Sequence, residues 1–476
     1  MSTQLTAYID GRRVGTFSRD GSGPVTFTFD EEWRRGARRL ELSLSMPKTR
    51  RQHTGTAPLN YLWNLLPDSE AVLERWGAKF GVSPRNPMAL LAHVGMDTAG
   101  AVQLADSDAE HLTGPSGNEP ISAAEIAEHI RQLRADPEAW LLPGHNAGYF
   151  SLAGAQSKFA LARAADGGWS VPTGRAASTH ILKPGIRGLD RSDLNEHLSL
   201  AAAARLGLNT ADTEIERFED ESVIVVRRYD RARAPDGTVT RLHQEDMAQA
   251  TGTHPVGKYQ NEGGPGVEQI VTLIREARGK DAGSPGRFYE ATVFNWAALG
   301  TDAHAKNYSI LHSTRDGPSL APLYDVATAL PYPDINTRDA KLAMSFGRHY
   351  RLREIEARHV IADGAALGFD PGWARDRAVA IVDGLADAYS AAARDANLTG
   401  DDAAFAATVV DGVAVRADRL RRELTAARRA AVTPTPGASK PAAGSGGQPR
   451  QPNGRYDRKM KTVPDSTLTD DTTTGS

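Results

Sequence analysis

The sequence contains no cysteine among its 476 residues. That absence excludes a disulfide scaffold, Cys-ligated zinc, iron–sulfur clusters and thiol catalysis, and it fits a reducing compartment. Long apolar runs are missing too. No stretch of about 18 apolar residues exists, so no membrane span is expected. The amino-terminal stretch has neither a basic n-region nor an apolar h-region. The expectation is a soluble cytoplasmic protein. No charge sign dominates: 56 Lys and Arg stand against 59 Asp and Glu, a formal net charge of -3. That balance argues against a protein that simply coats nucleic acid. No internal repeat is visible, and no His/Asp/Glu cluster has catalytic-zinc spacing. At roughly 100–200 residues per domain, the length suggests about two to four domains, large enough to bury cores without staples.

What is present begins with short strands. Residues 7–9 and 14–17 flank Asp10-Gly11, a tight-turn signal, and residues 25–29 and 40–44 alternate apolar and polar, with Pro47 ending the run. Helical patterns follow. Leu62, Leu65 and Leu66 share a face, Asp68 or Ser69 caps a helix carrying Val72, Leu73 and Trp76, and residues 87–94 start at a proline. Residues 1–105 are read as a small α+β subdomain, and residues 106–148 as a linker plus helix. Within that region, 106–120 reads as loop, and Ser122 with Glu125 opens a helix as a capping box. Residues 149–230 read as a strand-rich lobe: strands at 159–163, 169–171 and 179–184, a helix at 193–206 closed by Gly207, and a hairpin at 214–228. Residues 231–431 read as a helical lobe, with a helix at 288–299, a last hairpin at 307–325 and helices from 354 onward. The run 261–266 is a loop between helical segments. The tail 432–476, rich in Pro, Gly, Ser and Thr, is expected to be disordered.

The densest chemical signal is Thr301-Asp302-Ala303-His304-Ala305-Lys306-Asn307, followed by Leu323-Tyr324-Asp325-Val326. Asp302 and Asn307 have the D-x-x-x-x-N interval of a protein-kinase catalytic loop, where the Asp accepts the substrate proton and the Asn binds magnesium. A hairpin then leads to Asp325, where a kinase places its second metal ligand. Oxygen ligands beside phosphates suit Mg²⁺. Alone, such an interval arises by chance and an Asp before a hairpin makes an Asx-turn. The order of elements is what raises it to a phosphotransfer reading. Lys183 sits on a strand with apolar neighbours, placed to meet phosphates or, blandly, to point to solvent. Glu196 on the next helix is placed to pair with it, although a first-turn glutamate is by default a surface residue. The loop Ser151-Leu-Ala-Gly-Ala-Gln-Ser-Lys158 has neither G-x-G-x-x-G nor a Walker A. Its small residues still permit backbone N–H groups to approach phosphates.

These stretches, with His180-Ile-Leu-Lys183, Arg228-Tyr-Asp-Arg231, Gln244-Glu-Asp-Met247 and Asn64-Leu-Leu-Pro-Asp-Ser69, resemble the HipA-type serine/threonine kinase toxins of bacterial type II toxin–antitoxin systems. The resemblance spans residues 5–425. It implies an α+β, two-lobed protein-kinase-like fold with the small N-terminal subdomain and a mostly helical C-terminal lobe. It implies Asp302 as catalytic base and Asn307 and Asp325 as Mg²⁺ ligands. The ATP contacts it implies are Ala153, Gly154, Ala155, Gln156, Ser157, Lys158, Lys183, His304, Ala305, Lys306, Asn307, Tyr324 and Asp325, with Arg227, Arg228 and Tyr229 as the adenine hinge. Ser151 corresponds to the serine such kinases autophosphorylate to switch themselves off. The implied substrate is a translation protein, with glutamyl-tRNA synthetase the known type. The implied partner is a helix-turn-helix antitoxin that represses its own operon. Some positions depart from the pattern. Ser157 stands where a Glu is common, Arg227 where an acidic residue is expected, and Ala365 and Gly368 where some members carry basic DNA contacts. DNA is therefore expected to be reached only through the antitoxin. Two other readings stay open: a degenerate co-repressor scaffold and a small-molecule phosphotransferase.

Overall fold

The computed structural model describes residues 2–36, 40–106, 116–142, 150–336 and 339–432. Residue 432 of the expected disordered tail ends the helix Gly400–Val432, and 433–476 lie outside the described residues, as do 107–115 and 143–148 of the expected linker region. Residues 1–430 form one unit.

The N-terminal alternation builds a five-stranded antiparallel sheet in the order Gln52–His53, Thr26–Phe29, Arg12–Asp20, Ser2–Ile9, Gln103–Ala105. Ile9 pairs with Arg12, so Asp10 and Gly11 alone make the turn. Both have positive φ, +51° and +69°, as a two-residue hairpin turn of the I′ kind requires. Helices Ala57–Asn64, Glu70–Phe80 and Pro87–Val94 follow. Ser69 caps the second, its Oγ accepting from Val72 N at 3.4 Å.

The expected strand at 40–44 does not form. Its alternation reflects burial of Leu40 and Leu42, but its polar groups are taken by the C-terminal lobe. Leu44 N donates to Glu245 Oε1 at 2.8 Å, and His243 Nε2 meets Leu42 O at 2.8 Å.

The second sheet has six antiparallel strands in the order Thr213–Phe218, Glu221–Arg227, His180–Pro184, Phe159–Arg163, Trp169–Thr173, Gly117–Pro120. The last of these was expected to be loop. It pairs with residues 170–173 as an edge strand, where Pro120 is tolerated. Helix Ala123–Ala135 opens with the expected capping box at Ser122 and Glu125. Its Ile126 and Ile130 join Phe159 and Leu161 in one core, which also contains Leu5, Phe17, Tyr61 and Trp76 from the N-terminal region. A separate core holds the helical lobe, built around Ser284–Ala298 and Pro371–Asp395.

That lobe is less purely helical than its pattern suggests. Strands Arg231–Arg233, Val239–Arg241 and His243–Asp246 precede its first helix, and a further hairpin, Lys341–Phe346 with His349–Arg351, follows the one expected to be last. Among the described residues no helix is long and apolar enough to cross a membrane.

Candidate active site

A cleft of about 1240 Å³ between the strand-rich and helical lobes collects the sequence-predicted residues. Its centre is Lys183. On strand His180–Pro184, Leu182 points into the core, and alternation turns Lys183 to the cleft side. Its ammonium lies 2.7 Å from Glu196 Oε1 and 3.0 Å from Asp325 Oδ1. Neither default held: Lys183 is 6% and Glu196 4% exposed. Helix Ser192–Arg205 is enclosed on most sides, so even its first turns are buried and must find partners. Burial opposes the charge on Lys183, but Asp325 and Glu196 overcome it and hold the ammonium above its ordinary range. Burial likewise opposes ionisation of Asp325, and Lys183 and Lys158 overcome it, holding that carboxyl well below the usual range. Asp325 has a φ of +58°, a left-handed conformation that L-residues rarely adopt and that clusters at functional sites.

The catalytic-loop sequence leaves helix Ser284–Ala298 through Leu299, also left-handed at φ +61°. The loop is held by its own backbone and by Asn307. His304 N and Asn307 Nδ2 both donate to Asp302 O, each at 2.8 Å. That leaves Asn307 Oδ1 as an acceptor. Ala305 is a core residue with no exposure. Asp302 is exposed at the cleft, and its Oδ1 accepts the phenolic O–H of Tyr259 at 2.5 Å. Lys306 turns its ammonium toward the N-terminal region, 3.1 Å from Asp68 Oδ1 and 3.1 Å from Asn64 Oδ1. Lys258 reaches the other oxygen of Asp68 at 2.8 Å. From sequence Asp68 is a candidate helix cap within the Asn64–Ser69 stretch, and Tyr259 and Lys258 carry no expected role. Only the Gly/Pro-rich surroundings of Tyr259 hinted at an exposed segment.

The phosphate-loop stretch lines the same cleft from Leu152 to Lys158. Gly154 takes φ +104°, a backbone conformation that favours glycine, and a Cβ there would fall 2.7 Å from Lys158 Nζ and displace the ammonium. Lys158 is buried and donates to Ala153 O at 2.8 Å. Ser157 Oγ donates to Pro137 O, Gln156 Nε2 to Pro184 O, and Ala155 is exposed. Ser151 is fully buried, donating to Leu65 O at 2.6 Å.

The expected hinge residues Arg227, Arg228 and Tyr229 line the cleft. Arg227 is exposed beside Asp212, while the Arg228 side chain is buried against Asp230, Asp97 and Ser178. Tyr229 packs 5.8 Å from Tyr324, and the Tyr324 hydroxyl donates to Lys306 O.

Among the described residues no group of three or more His, Cys, Asp or Glu is placed to hold a metal. Asn307 and Asp325 both line the cleft. An amide oxygen and an ionised carboxylate are what Mg²⁺ takes when substrate phosphates complete its shell.

Comparison with known proteins agrees with this geometry. The family model described as HipA N-terminal domain matches residues 5–105, and that of the HipA-like C-terminal domain matches 150–393. A Sinorhizobium fredii protein named as a kinase, Y4mE, is 36% identical over 88% of this chain and 98% of its own length. The serine/threonine-protein kinase toxin HipA of Shewanella oneidensis is 27% identical over 76% of this chain and 83% of its own. Among solved structures, HipA in the Shewanella oneidensis HipA, HipB and operator DNA complex superposes with a TM-score of 0.77 at 25% identity, covering 89% of this chain and 99% of that one. With both domains matched in order along one chain, and the kinase-like two-lobed fold in common, this protein belongs to the HipA family.

Proposed function

We propose that this chain is an ATP-dependent serine/threonine protein kinase of the toxin type, paired with a HipB-like antitoxin. One observation carries the reading: the Lys183 ammonium bridges Glu196 and Asp325 in the same cleft that presents Asp302 and Asn307. Lys183, Lys158 and the backbone of residues 153–158 bind and orient the ATP phosphates. Tyr324 and the backbone at 227–229 border the adenine side. Asn307 and Asp325 would hold Mg²⁺, which would supply charge neutralisation to the phosphates when bound. Asp302 takes the proton of the acceptor hydroxyl as its oxygen bonds the γ-phosphorus and ADP leaves. The remaining gain comes from positioning.

The substrate class is a protein of translation, with an aminoacyl-tRNA synthetase such as glutamyl-tRNA synthetase the leading member. Ser151 serves as a self-inactivation site. Its hydroxyl donates to a carbonyl in a fully buried place, and a phosphate dianion there would face desolvation and an acceptor it cannot satisfy. The modified loop must leave the cleft. The antitoxin assignment draws on the HipA, HipB and DNA complex of the structural relative. A degenerate scaffold is disfavoured by the complete set of Lys183, Glu196, Asp302, Asn307 and Asp325.

Intact-mass spectrometry tests the reading. After Mg-ATP, wild type is expected to gain one phosphate on Ser151, and Asp302→Asn none. No phosphate in any sample, together with no Mg-ATP binding by calorimetry, refutes it.

A further inference from the structure

The exposed carboxylate of Asp302 already carries a hydroxyl. The Tyr259 O–H lies 2.5 Å from Asp302 Oδ1, within the reach a general base needs from its acceptor. The ring stands edge-on to His304, centroids 5.0 Å apart, and Lys258 Nζ lies 5.6 Å from its own centroid. Tyr259 sits between two short 3-10 turns, Pro255–Gly257 and Gln260–Glu262, neither of which has a buried residue. This strap is tied down by polar contacts. Ala305 N donates to Lys258 O at 3.3 Å, Lys258 Nζ pairs with Asp68, and Ser345 N donates to Gln260 Oε1 at 2.8 Å. The phenol can therefore withdraw without unpacking a core. Burial and the hydrogen bond to Asp302 push the phenol above its ordinary range, so it keeps its proton.

We propose that the Tyr259 hydroxyl occupies the acceptor's seat on Asp302, and that an incoming serine or threonine displaces it. Tyr259 is thus a positioning residue that holds the Oδ1 seat of the base against water while nucleotide waits. The inference rests on the kinase reading. Without a plug, a water oxygen bonds the γ-phosphorus, the bond to the β–γ bridging oxygen breaks, Asp302 takes the proton and ADP leaves.

The test uses full-length wild type, Tyr259→Phe and the Tyr259→Phe/Asp302→Asn double variant, with initial rates in Mg-ATP. Phe keeps the ring on His304, and Mg-ATP binding by calorimetry checks the fold. Acceptor-free ADP release is expected to rise about tenfold in Tyr259→Phe, the scale of one lost hydrogen bond to a charged group. The KM for dephosphorylated casein, the acceptor probe, falls by a similar factor with kcat unchanged. The double variant loses the gain in ADP release. Unchanged ADP release and KM in a variant that binds Mg-ATP normally overturns the proposal, as does a phosphate mapped to Tyr259 itself. A wild type that neither binds Mg-ATP nor releases ADP removes the kinase reading and the plug together. Wild-type turnover with an inert Tyr259→Phe removes the plug alone.

Discussion

Lys158 is an enclosed ammonium, 5% exposed, donating to a carbonyl and lying 5.4 Å from the Trp140 ring centroid. Burial first, and Lys183 second, lower its pKa from 10.5 to about 8. The sign for stability follows directly. The folded state binds fewer protons than the unfolded one between those values, so the cost of burying this charge is full below about pH 8 and fades toward 10.5. For the phosphate contact proposed above the sign reverses. ATP needs the protonated form, so Mg-ATP affinity measured by calorimetry should fall about fivefold from pH 8 to pH 9. Lys158→Arg, which stays charged, should lose that fall. A wild-type affinity that is flat across the same range would sink the assignment. At this scale, what was legible in the sequence was local. Asp302, Asn307 and Asp325 share one loop and hairpin, so their interval carries the signal. Tyr259 reaches Asp302 across 43 residues, and Asp68 meets Lys258 and Lys306 from the other end of the chain. Such pairs leave no periodicity to read.

Elements were legible where a local rule sets them. The box at Ser122 and Glu125 is one: Ser122 N donates to Glu125 Oε2 at 2.9 Å, and Glu125 N to Ser122 Oγ at 3.3 Å. Ser122 is exposed, so Ser122→Ala opens no cavity. The cap alone should be lost, costing about 1 kcal/mol in urea unfolding with an unchanged slope. Mg-ATP affinity should not move, because Ser122 stands at the N-terminal end of the helix and the residues that reach the cleft, Leu133 and Arg134, lie in its last turn. An unaltered urea midpoint would contradict the capping account. Strand His243–Asp246 was illegible for the opposite reason. His-Gln-Glu-Asp has no apolar alternation, yet it pairs with Ser309–Ser313. Its inward side chains are polar groups with distant partners: His312 Nε2 meets Glu245 Oε1 at 2.9 Å. The misread 40–44 run lies against this strand, its backbone satisfied by these side chains instead of a neighbouring strand. Hydrophobic patterning finds a core face and is blind to a strand buried by polar pairing.

The two-lobed order was legible in the whole chain because the motifs fall in kinase sequence. The hold on the N-terminal region was not. Arg228 reads as a hinge residue, but its guanidinium belongs to a buried cluster that spans the chain. Arg228 lies 3.6 Å from Asp97 and 2.9 Å from Asp230, Arg231 lies 2.9 Å from Asp97 and 3.1 Å from Asp230, and Arg241 lies 3.5 Å from Asp97. Burial raises the Asp97 pKa, but the three guanidiniums outweigh it and keep the carboxyl below its ordinary range. Because Asp97 lies in the N-terminal region and its partners in the strand-rich and helical lobes, the cluster and the shared core make one cooperative body of them. Asp97→Asn keeps the shape and removes the charge, leaving buried cations short of a counter-ion. The expected loss is about 3–5 kcal/mol in chemical denaturation, read as a single transition by both fluorescence and far-UV dichroism. The exposed pair of Arg131 with Glu219 is the control, and Glu219→Gln should leave the denaturation midpoint essentially unchanged. Two separate transitions in wild type, or equal small losses in both variants, would mean that the N-terminal region is merely appended. One transition with unequal losses would mean that Asn64 and Asp68, which hold Lys306, arrive on a part of the same folding unit as the cleft they border.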